Sequence, residues 1–174
     1  MTSNDEVDQL IDAWRRERPD LDVSPLQVLS RITRIARHLD IARREAFALH
    51  DLELGEFDVL AALRRSGNPY ALTPSQLVTA TLVTSGTMTN RIDRLEQKEL
   101  VRRLPDPDDG RGVLVALTNS GKSRVDQALT ELLSRERALL GTASPDELAE
   151  LANALRELVL PLDRRVNQEE SAEN

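Results

Sequence analysis

A mainly helical fold carrying one small β-hairpin is predicted by three features of the 174-residue chain. Hydrophobic residues make up 40% of it but aromatic residues only 2% (Trp14, Phe47, Phe57 and Tyr70), so the core must be built from Leu, Val, Ile and Ala. That composition suits helices packed through aliphatic faces. Three segments have the form of helix starts, with a Ser or Thr, then Pro, then Gln or Glu three positions on: Ser24-Pro25-Leu26-Gln27, Thr73-Pro74-Ser75-Gln76 and Ser144-Pro145-Asp146-Glu147. In each, side chain and backbone can satisfy each other's orphan hydrogen-bonding groups. Between residues 100 and 117 the helical spacing gives way to two short β-type runs, rich in Val and Leu and separated by a turn-forming segment, the mark of strands.

In chain order, Asp5 to Arg18 reads as a first helix with Val7, Leu10, Ile11 and Trp14 on one face and Pro19 beyond its end. From Leu26 the apolar positions Leu29, Ile32, Ile35, Ala36, Leu39, Ala42, Ala46 and Leu49 recur every three or four residues, giving a long amphipathic helix to about residue 51. A third helix runs from Glu56 to Arg65 and is stopped by Ser66-Gly67-Asn68-Pro69. Thr73 caps a short helix ending near Thr81, and Ser85 opens another that lasts to about Lys98. Two β-type runs, 100–104 and 112–117, flank Pro105-Asp106-Pro107-Asp108-Asp109-Gly110-Arg111 and form a hairpin with a long tip. Thr118 caps the next helix, and the last begins near Pro145, carries Leu148, Leu151, Leu155, Leu158, Val159 and Leu162, and is expected to kink at Pro161.

The order helix, tight connection, helix, hairpin from residue 73 is that of a winged helix-turn-helix. Its second helix enters the major groove of double-stranded DNA while the wing reaches an adjacent minor groove or phosphate row. Thr84, Ser85, Thr87, Thr89 and Asn90 offer short hydrogen-bonding groups near the start of that helix, followed by Arg91 and Arg94, and Gly86 lets the backbone approach closely. The Ser/Thr cluster reads equally as an ordinary helix cap. On the wing, Arg111 follows Asp108-Asp109-Gly110, a turn whose carboxylates brace the tip, so that the guanidinium can enter a narrow minor groove or pair with Asp106 or Asp108. Arg102 and Arg103 are consecutive on a strand, so only one of them faces DNA.

The net charge of −7 argues against a nucleic-acid partner until it is divided along the chain. Residues 1–23 hold seven acids and three bases, and residues 141–174 hold eight acids and three bases. The intervening body has seventeen bases and fifteen acids. Within 84–112 the charges balance, six bases against six acids, so modest affinity is expected, with positioning on DNA due more to hydroxyls and backbone amides than to cations. The organisation expected is N-terminal helices over 1–55, the winged helix-turn-helix over 56–117, C-terminal helices over 118–166 and a disordered tail over 167–174.

The stretch LTPSQLVTATLVTSGTMTNRIDRLEQKELVRRLPDPDDGRGVLVALTNSGK, residues 72–122, resembles the core of the MarR family of transcriptional regulators, with the DPDDGR wing and the following LTxxG as its most specific parts. The resemblance implies a homodimer built through its N- and C-terminal helices, two wings, and a pseudo-palindromic operator bound as a repressor and released by a small anionic or aromatic effector. Carried over residue by residue, it implies DNA contacts by Thr73, Ser75 and Gln76 at the start of the first helix of the pair. Ser85, Thr87, Thr89, Asn90 and Arg94 match the recognition helix, Arg111 would be the wing residue, and Arg103, which precedes the wing, is taken with them as a DNA contact. The leucine stripe of the last helix and the amphipathic 24–51 segment fit either a dimer surface or an intrachain core.

Cys is absent, which excludes disulfides, thiolate metal sites, Cys nucleophiles and thiol-based sensing. His38 and His50 lie twelve apart without a second ligand at helical spacing, so no metal or cofactor is expected. No Ser-His-Asp set, phosphate-cradling Gly loop or metal cluster is present, so the chain is not read as an enzyme. The longest apolar runs fall short of a membrane span and the first twenty residues are polar and acidic, so a soluble cytoplasmic protein without a membrane partner is expected. A subgroup of the family that answers to urate and related anions has an extra N-terminal helix bearing a Trp, an Asp before the helix-turn-helix and an Arg in the recognition helix. Trp14, Asp58 and Arg91 resemble that set as an effector site, and they fit structural contacts equally. The rival to a DNA-binding regulator is a winged-helix dimer acting as a protein-interaction module without DNA.

Overall fold

The computed structural model describes residues 4–107, 109 and 112–172, with side chains described to Arg164. The chain forms two compact units, 1–139 and 140–174. In the first, α1 (Glu6–Glu17) starts at Asp5, whose carboxylate accepts from the backbone N–H of Val7 and Asp8 while Asp8 returns a bond to the Asp5 N–H. Val7 and Ile11, one turn apart, bury against Val23 and Leu26 in a small core separate from the main one. Arg31 reaches back to Asp5 (2.9 Å) and Asp8 (2.8 Å), and Arg34 pairs with Glu6 (2.5 Å). The Arg31 guanidinium, helped by the backbone N–H of Asp8, holds the Asp5 carboxyl below its ordinary range.

The next helix, α2 (Ser24–Ala48), departs from expectation at both ends. Ser24 does not cap it: its N–H and hydroxyl both donate to the Asp22 carboxylate (2.9 and 3.0 Å). A carboxylate is a stronger acceptor than a hydroxyl, and a hydroxyl so engaged is turned away from the Gln27 amide. At the other end Leu49 lies beyond the helix and Asp51 takes a positive φ of 52°. Of the predicted apolar stripe only Ala42 and Ala46, joined by Phe47, are buried, while Leu29, Ile35 and Leu49 are exposed.

The centre of the unit is α3 (Leu54–Arg65), which begins two residues earlier than Glu56 because Glu56 folds back to accept the Glu53 N–H (2.8 Å). Its Phe57 stacks on Phe47 at 4.0 Å between ring centroids, and Val59, Leu60 and Leu63 are fully buried. The short β1 (Ala71–Leu72) was not anticipated, since two residues carry no readable period. It completes a three-stranded antiparallel sheet of order β1-β3-β2 with β2 (Val101–Pro105) and β3 (Val113–Leu117), pairing Ala71 with Ala116 and Val101 with Leu117. Between β1 and β2 lie α4 (Pro74–Thr81) and α5 (Ser85–Gln97). Leu77, Met88, Ile92 and Leu95 join these two helices to the α3 core. The predicted fold class, mainly helical with a winged helix-turn-helix, is therefore the observed one.

After β3, Thr118 caps α6 (Asn119–Leu140) by accepting from the Gly121 N–H (2.9 Å) and donating to the Glu99 carbonyl (2.8 Å). Val125, Ala128 and Leu132 of α6 belong to the main core. The second unit is built on α7 (Pro145–Ala172), opened by the expected reciprocal bonds between Ser144 and Glu147. It is helical through Pro161, and its backbone extends past the tail boundary expected at 167, as Gln, Glu and Ala permit. Leu151, Leu155, Leu158, Val159 and Leu162 are exposed along it.

Two positions make the local constraints measurable. A Cβ on Gly121 would lie 1.9 Å from the Leu100 carbonyl oxygen, so the Gly of LTxxG exists because the β2 entry and the α6 cap share that space. Gly121→Ala is expected to lose about 1–3 kcal/mol in denaturant unfolding, since backbone rather than a side-chain tip must move. Leu82, in the turn between α4 and α5, holds a left-handed φ of 52° with 92% of its surface exposed. Leu82→Gly should raise the unfolding free energy by about 0.5 kcal/mol, the relief of left-handed strain less the added freedom of the unfolded chain.

Candidate nucleic-acid interface

The recognition element rests on a division of α5 into two faces. Met88, Ile92 and Leu95 recur at helical spacing and are buried, which fixes α5 against the core and turns Ser85, Gly86, Thr89 and Asn90 to solvent. Ser85 opens the helix as expected and Thr84 caps it: the Thr84 hydroxyl accepts from the Thr87 N–H (3.4 Å) and shares a hydrogen bond with the Thr87 hydroxyl (3.0 Å). Thr89 donates to the Ser85 carbonyl (3.1 Å). The hydroxyls of Thr84, Thr87 and Thr89 are thus fastened to their own helix yet keep acceptor capacity outward. Ser85 and Asn90 are exposed at the same end.

At the start of α4, Thr73 and Gln76 make the predicted reciprocal cap, Gln76 N to Thr73 Oγ1 at 3.2 Å and Thr73 N to Gln76 Oε1 at 2.8 Å. This leaves the Gln76 amide NH2 and the exposed Ser75 hydroxyl facing out beside α5. On the wing, Arg111 lies outside the described residues, as do Asp108 and Gly110. The tip is narrowed by a Gly112 N–H to Asp109 carbonyl bond (2.8 Å), and a Cβ on Gly112 would meet the Asp106 Cβ at 2.9 Å. Arg103 turns back toward α5, where its guanidinium bonds Asp93 (2.6 Å) and Glu96 and its N–H reaches Glu96 (3.3 Å). Arg102, on the opposite strand face, is exposed.

The other cations of α5 are engaged from below. Arg94 bonds both carboxylate oxygens of Glu53 at 2.8 Å. Lys98 bonds Glu56 at 2.9 Å and the Asp51 carbonyl at 2.8 Å, and Glu56 is only 2% exposed. Arg91 lies flat on Gly55, so close that a Cβ there would be 2.4 Å from its Cζ, and its Nη1 is buried without a hydrogen-bond partner among the described residues. Glu53, Gly55, Glu56, Thr87, Asn90, Arg91 and Arg94 line one cleft of about 230 Å³.

The three residues matched to an effector site are not gathered together. Asp58 pairs with Arg43 (3.5 Å), not with Arg91, and lines a separate cleft with Arg65, Thr81 and Leu82. Trp14 is 45% exposed on α1. Sequence reasoning missed Glu53, Gly55, Glu56 and Lys98, whose partners lie about forty residues away and leave no trace in local spacing.

No helix among the described residues is long and apolar enough to cross a membrane. The family model described as MarR family matches residues 50–112, from the loop before α3 to the wing. The chain is 40% identical to the HTH-type transcriptional regulator PecS of Dickeya dadantii, over 84% of this chain and 88% of that one. It superposes on a mutant of Escherichia coli MarR solved with operator DNA (TM-score 0.64, 31% identity, 78% of this chain and 94% of that one). It also superposes on Bordetella bronchiseptica BpsR, solved in a study of how 6-hydroxynicotinic acid regulates its DNA binding (TM-score 0.62, 28% identity, 76% of this chain and 93% of that one). With these relatives and the helix-turn-helix and wing described above, the chain belongs to the MarR family of DNA-binding transcriptional regulators, and not to the enzymes.

Proposed function

We propose that the protein is a homodimeric repressor that binds a pseudo-palindromic operator and releases it when a small organic anion is bound. The observation that carries the DNA reading is the outward end of α5, where Ser85 and Asn90 are exposed at a Thr84-capped helix start held by three buried side chains. Asn90 can bond an adenine edge, and Ser85, Thr87 and Thr89 can meet bases or phosphates. Thr73, Ser75 and Gln76 fix the register on phosphates, Arg94 adds charge at the flank, Arg103 braces the wing against α5, and Arg111 serves as the wing residue. The solved MarR–operator complex supports operator DNA as the partner. Two-fold symmetry follows from pairing two recognition helices with half-sites about 34–36 Å apart. The exposed leucines of α7, and Leu129 and Leu133 of α6, supply the apolar surface for the dimer, with the N-terminal helices 1–55 contributing.

For the effector, Arg91 has the strongest standing of the three matched residues, because a guanidinium nitrogen buried without a partner gains most from an anion. BpsR supports a planar heteroaromatic acid as the ligand type, and urate has the same chemistry. Such a ligand releases DNA only if it binds the DNA-free arrangement better than the bound one. Trp14 and Asp58 join this site only through a rearrangement or through the second copy.

In a gel-shift against DNA from the region upstream of its own coding sequence, the protein should shift one palindromic fragment as a dimer, with affinity falling steeply as salt rises. Failure to bind any duplex at low salt would favour the protein-interaction reading. Isothermal titration with 6-hydroxynicotinic acid and urate should give a heat of binding that Gly55→Ala weakens about tenfold or more, because the new Cβ displaces Arg91; equal affinities would remove Arg91 from the site.

A further inference from the structure

Three of the six cations of the recognition helix and wing are neutralised from within: Glu53 holds Arg94, Glu56 holds Lys98, and Asp93 with Glu96 holds Arg103. The three differ in how firmly they are held. Lys98 is partnered by a buried carboxylate, and Arg103 by two acids of the adjoining helix. Among the described residues Arg94 has a single partner, and both members of that pair are more than half exposed, 57% for Arg94 and 69% for Glu53. Exposed pairs of this kind are worth at most about 1 kcal/mol, so an incoming phosphate can replace the carboxylate. Arg94 is also four residues after Asn90 and seven after Thr87, on the same flank of α5 and in the same cleft.

We propose that Glu53 sets the specificity of DNA binding by occupying Arg94 in the free protein as a substitute for phosphate. The inference rests on the DNA-binding reading above. A duplex held loosely by its phosphates does not bring one close enough to displace a bidentate carboxylate, so Arg94 contributes nothing to nonspecific binding. A duplex seated in register, with Asn90 and Ser85 on base edges, delivers a phosphate to Arg94, and the arginine exchanges one anion for the other. Glu53 therefore removes one counterion-releasing contact from the nonspecific mode and leaves it in the specific one.

The test uses Glu53→Gln in the full chain, which keeps the backbone N–H that Glu56 caps, and measures fluorescence anisotropy on two labelled duplexes across a salt series. One duplex is selected from random sequence by the wild type, and the other is a scrambled control. Glu53→Gln should tighten scrambled-duplex binding several-fold at low salt and steepen its log–log salt dependence by about 0.9, the loss of one further counterion. The selected duplex should change less, so the ratio of the two affinities falls. In an Arg94→Gln background the same substitution should have no effect. Glu150→Gln, which removes one charge from α7, should not reproduce it. An unchanged slope, an effect that persists without Arg94, or an equal effect of Glu150→Gln overturns the proposal while leaving the DNA-binding reading intact. A wild type that binds neither duplex at low salt overturns both.

Discussion

The buried carboxylate of Glu56 constrains everything around the recognition helix. A charge taken out of water costs several kcal/mol unless its oxygens are met by donors, and here one oxygen receives both the Glu53 N–H and the Lys98 ammonium. Lys98 also reaches the Asp51 carbonyl, so a single ion pair ties the loop before α3, the first turn of α3 and the end of α5. Removing Lys98 would leave the buried Glu56 carboxylate without its counter-charge, so the arrangement has little freedom to vary. The apolar contacts of Leu60, Leu63, Ile92 and Leu95 give the α3–α5 pair its adhesion, but they are non-directional; the Glu56–Lys98 bond fixes their register.

With α5 fixed in this way, the acids around it no longer look like a defect in a DNA-binding surface. Asp93 and Glu96 occupy turns of α5 that face the wing, and they use Arg103 to hold β2 against the helix. The wing and the recognition helix then present their contacts at a set angle, and the entropy of ordering them is already spent before DNA arrives. A surface of balanced charge attracts any duplex weakly, and discrimination passes to short hydroxyl and amide groups that act only at contact distance. The net −7 of the chain is compatible with that arrangement because its excess of acids over bases lies in residues 1–23 and 141–174.

Much of the fold was legible because the signals that specify it are local. Thr73, Ser144 and Thr118 announce helix starts through bonds to residues three positions away, and the shift in period at residue 100 marks the wing strands. Ser24 shows where such reading fails. Its Pro and Gln are correctly spaced, but Asp22, two residues upstream, competes for the same hydroxyl. The two residues of β1 are strand only because β3 lies beside them. The site was half legible for the same reason: the hydroxyl cluster at the start of α5 is contiguous in sequence. The partners that discipline the cations are not, since Glu53 is 41 residues from Arg94 and Glu56 is 42 from Lys98. Arg94 therefore read as a free contact when it is an engaged one, and Asp58 read as a neighbour of Arg91 when its partner is Arg43.

The same rigidity limits how a ligand can act. Since α3 and α5 are joined by core, ion pair and cap, an anion at Arg91 cannot tilt the recognition helix alone without breaking the Glu56–Lys98 bond. The economical response is for α3, α5 and the wing to move as one body, with the change absorbed where packing is thin. Shifting such an equilibrium from 1:99 to 99:1 takes a preference of about 10⁴ between the two arrangements, more than one exposed contact supplies. Thin packing exists at α1, whose core is limited to Val7, Ile11, Val23 and Leu26 and whose ties to α2 are surface ion pairs. An element held by so little buried area yields before the α3–α5 body does, so an effector bound as proposed above would find its give at α1 before it found any within the helix-turn-helix.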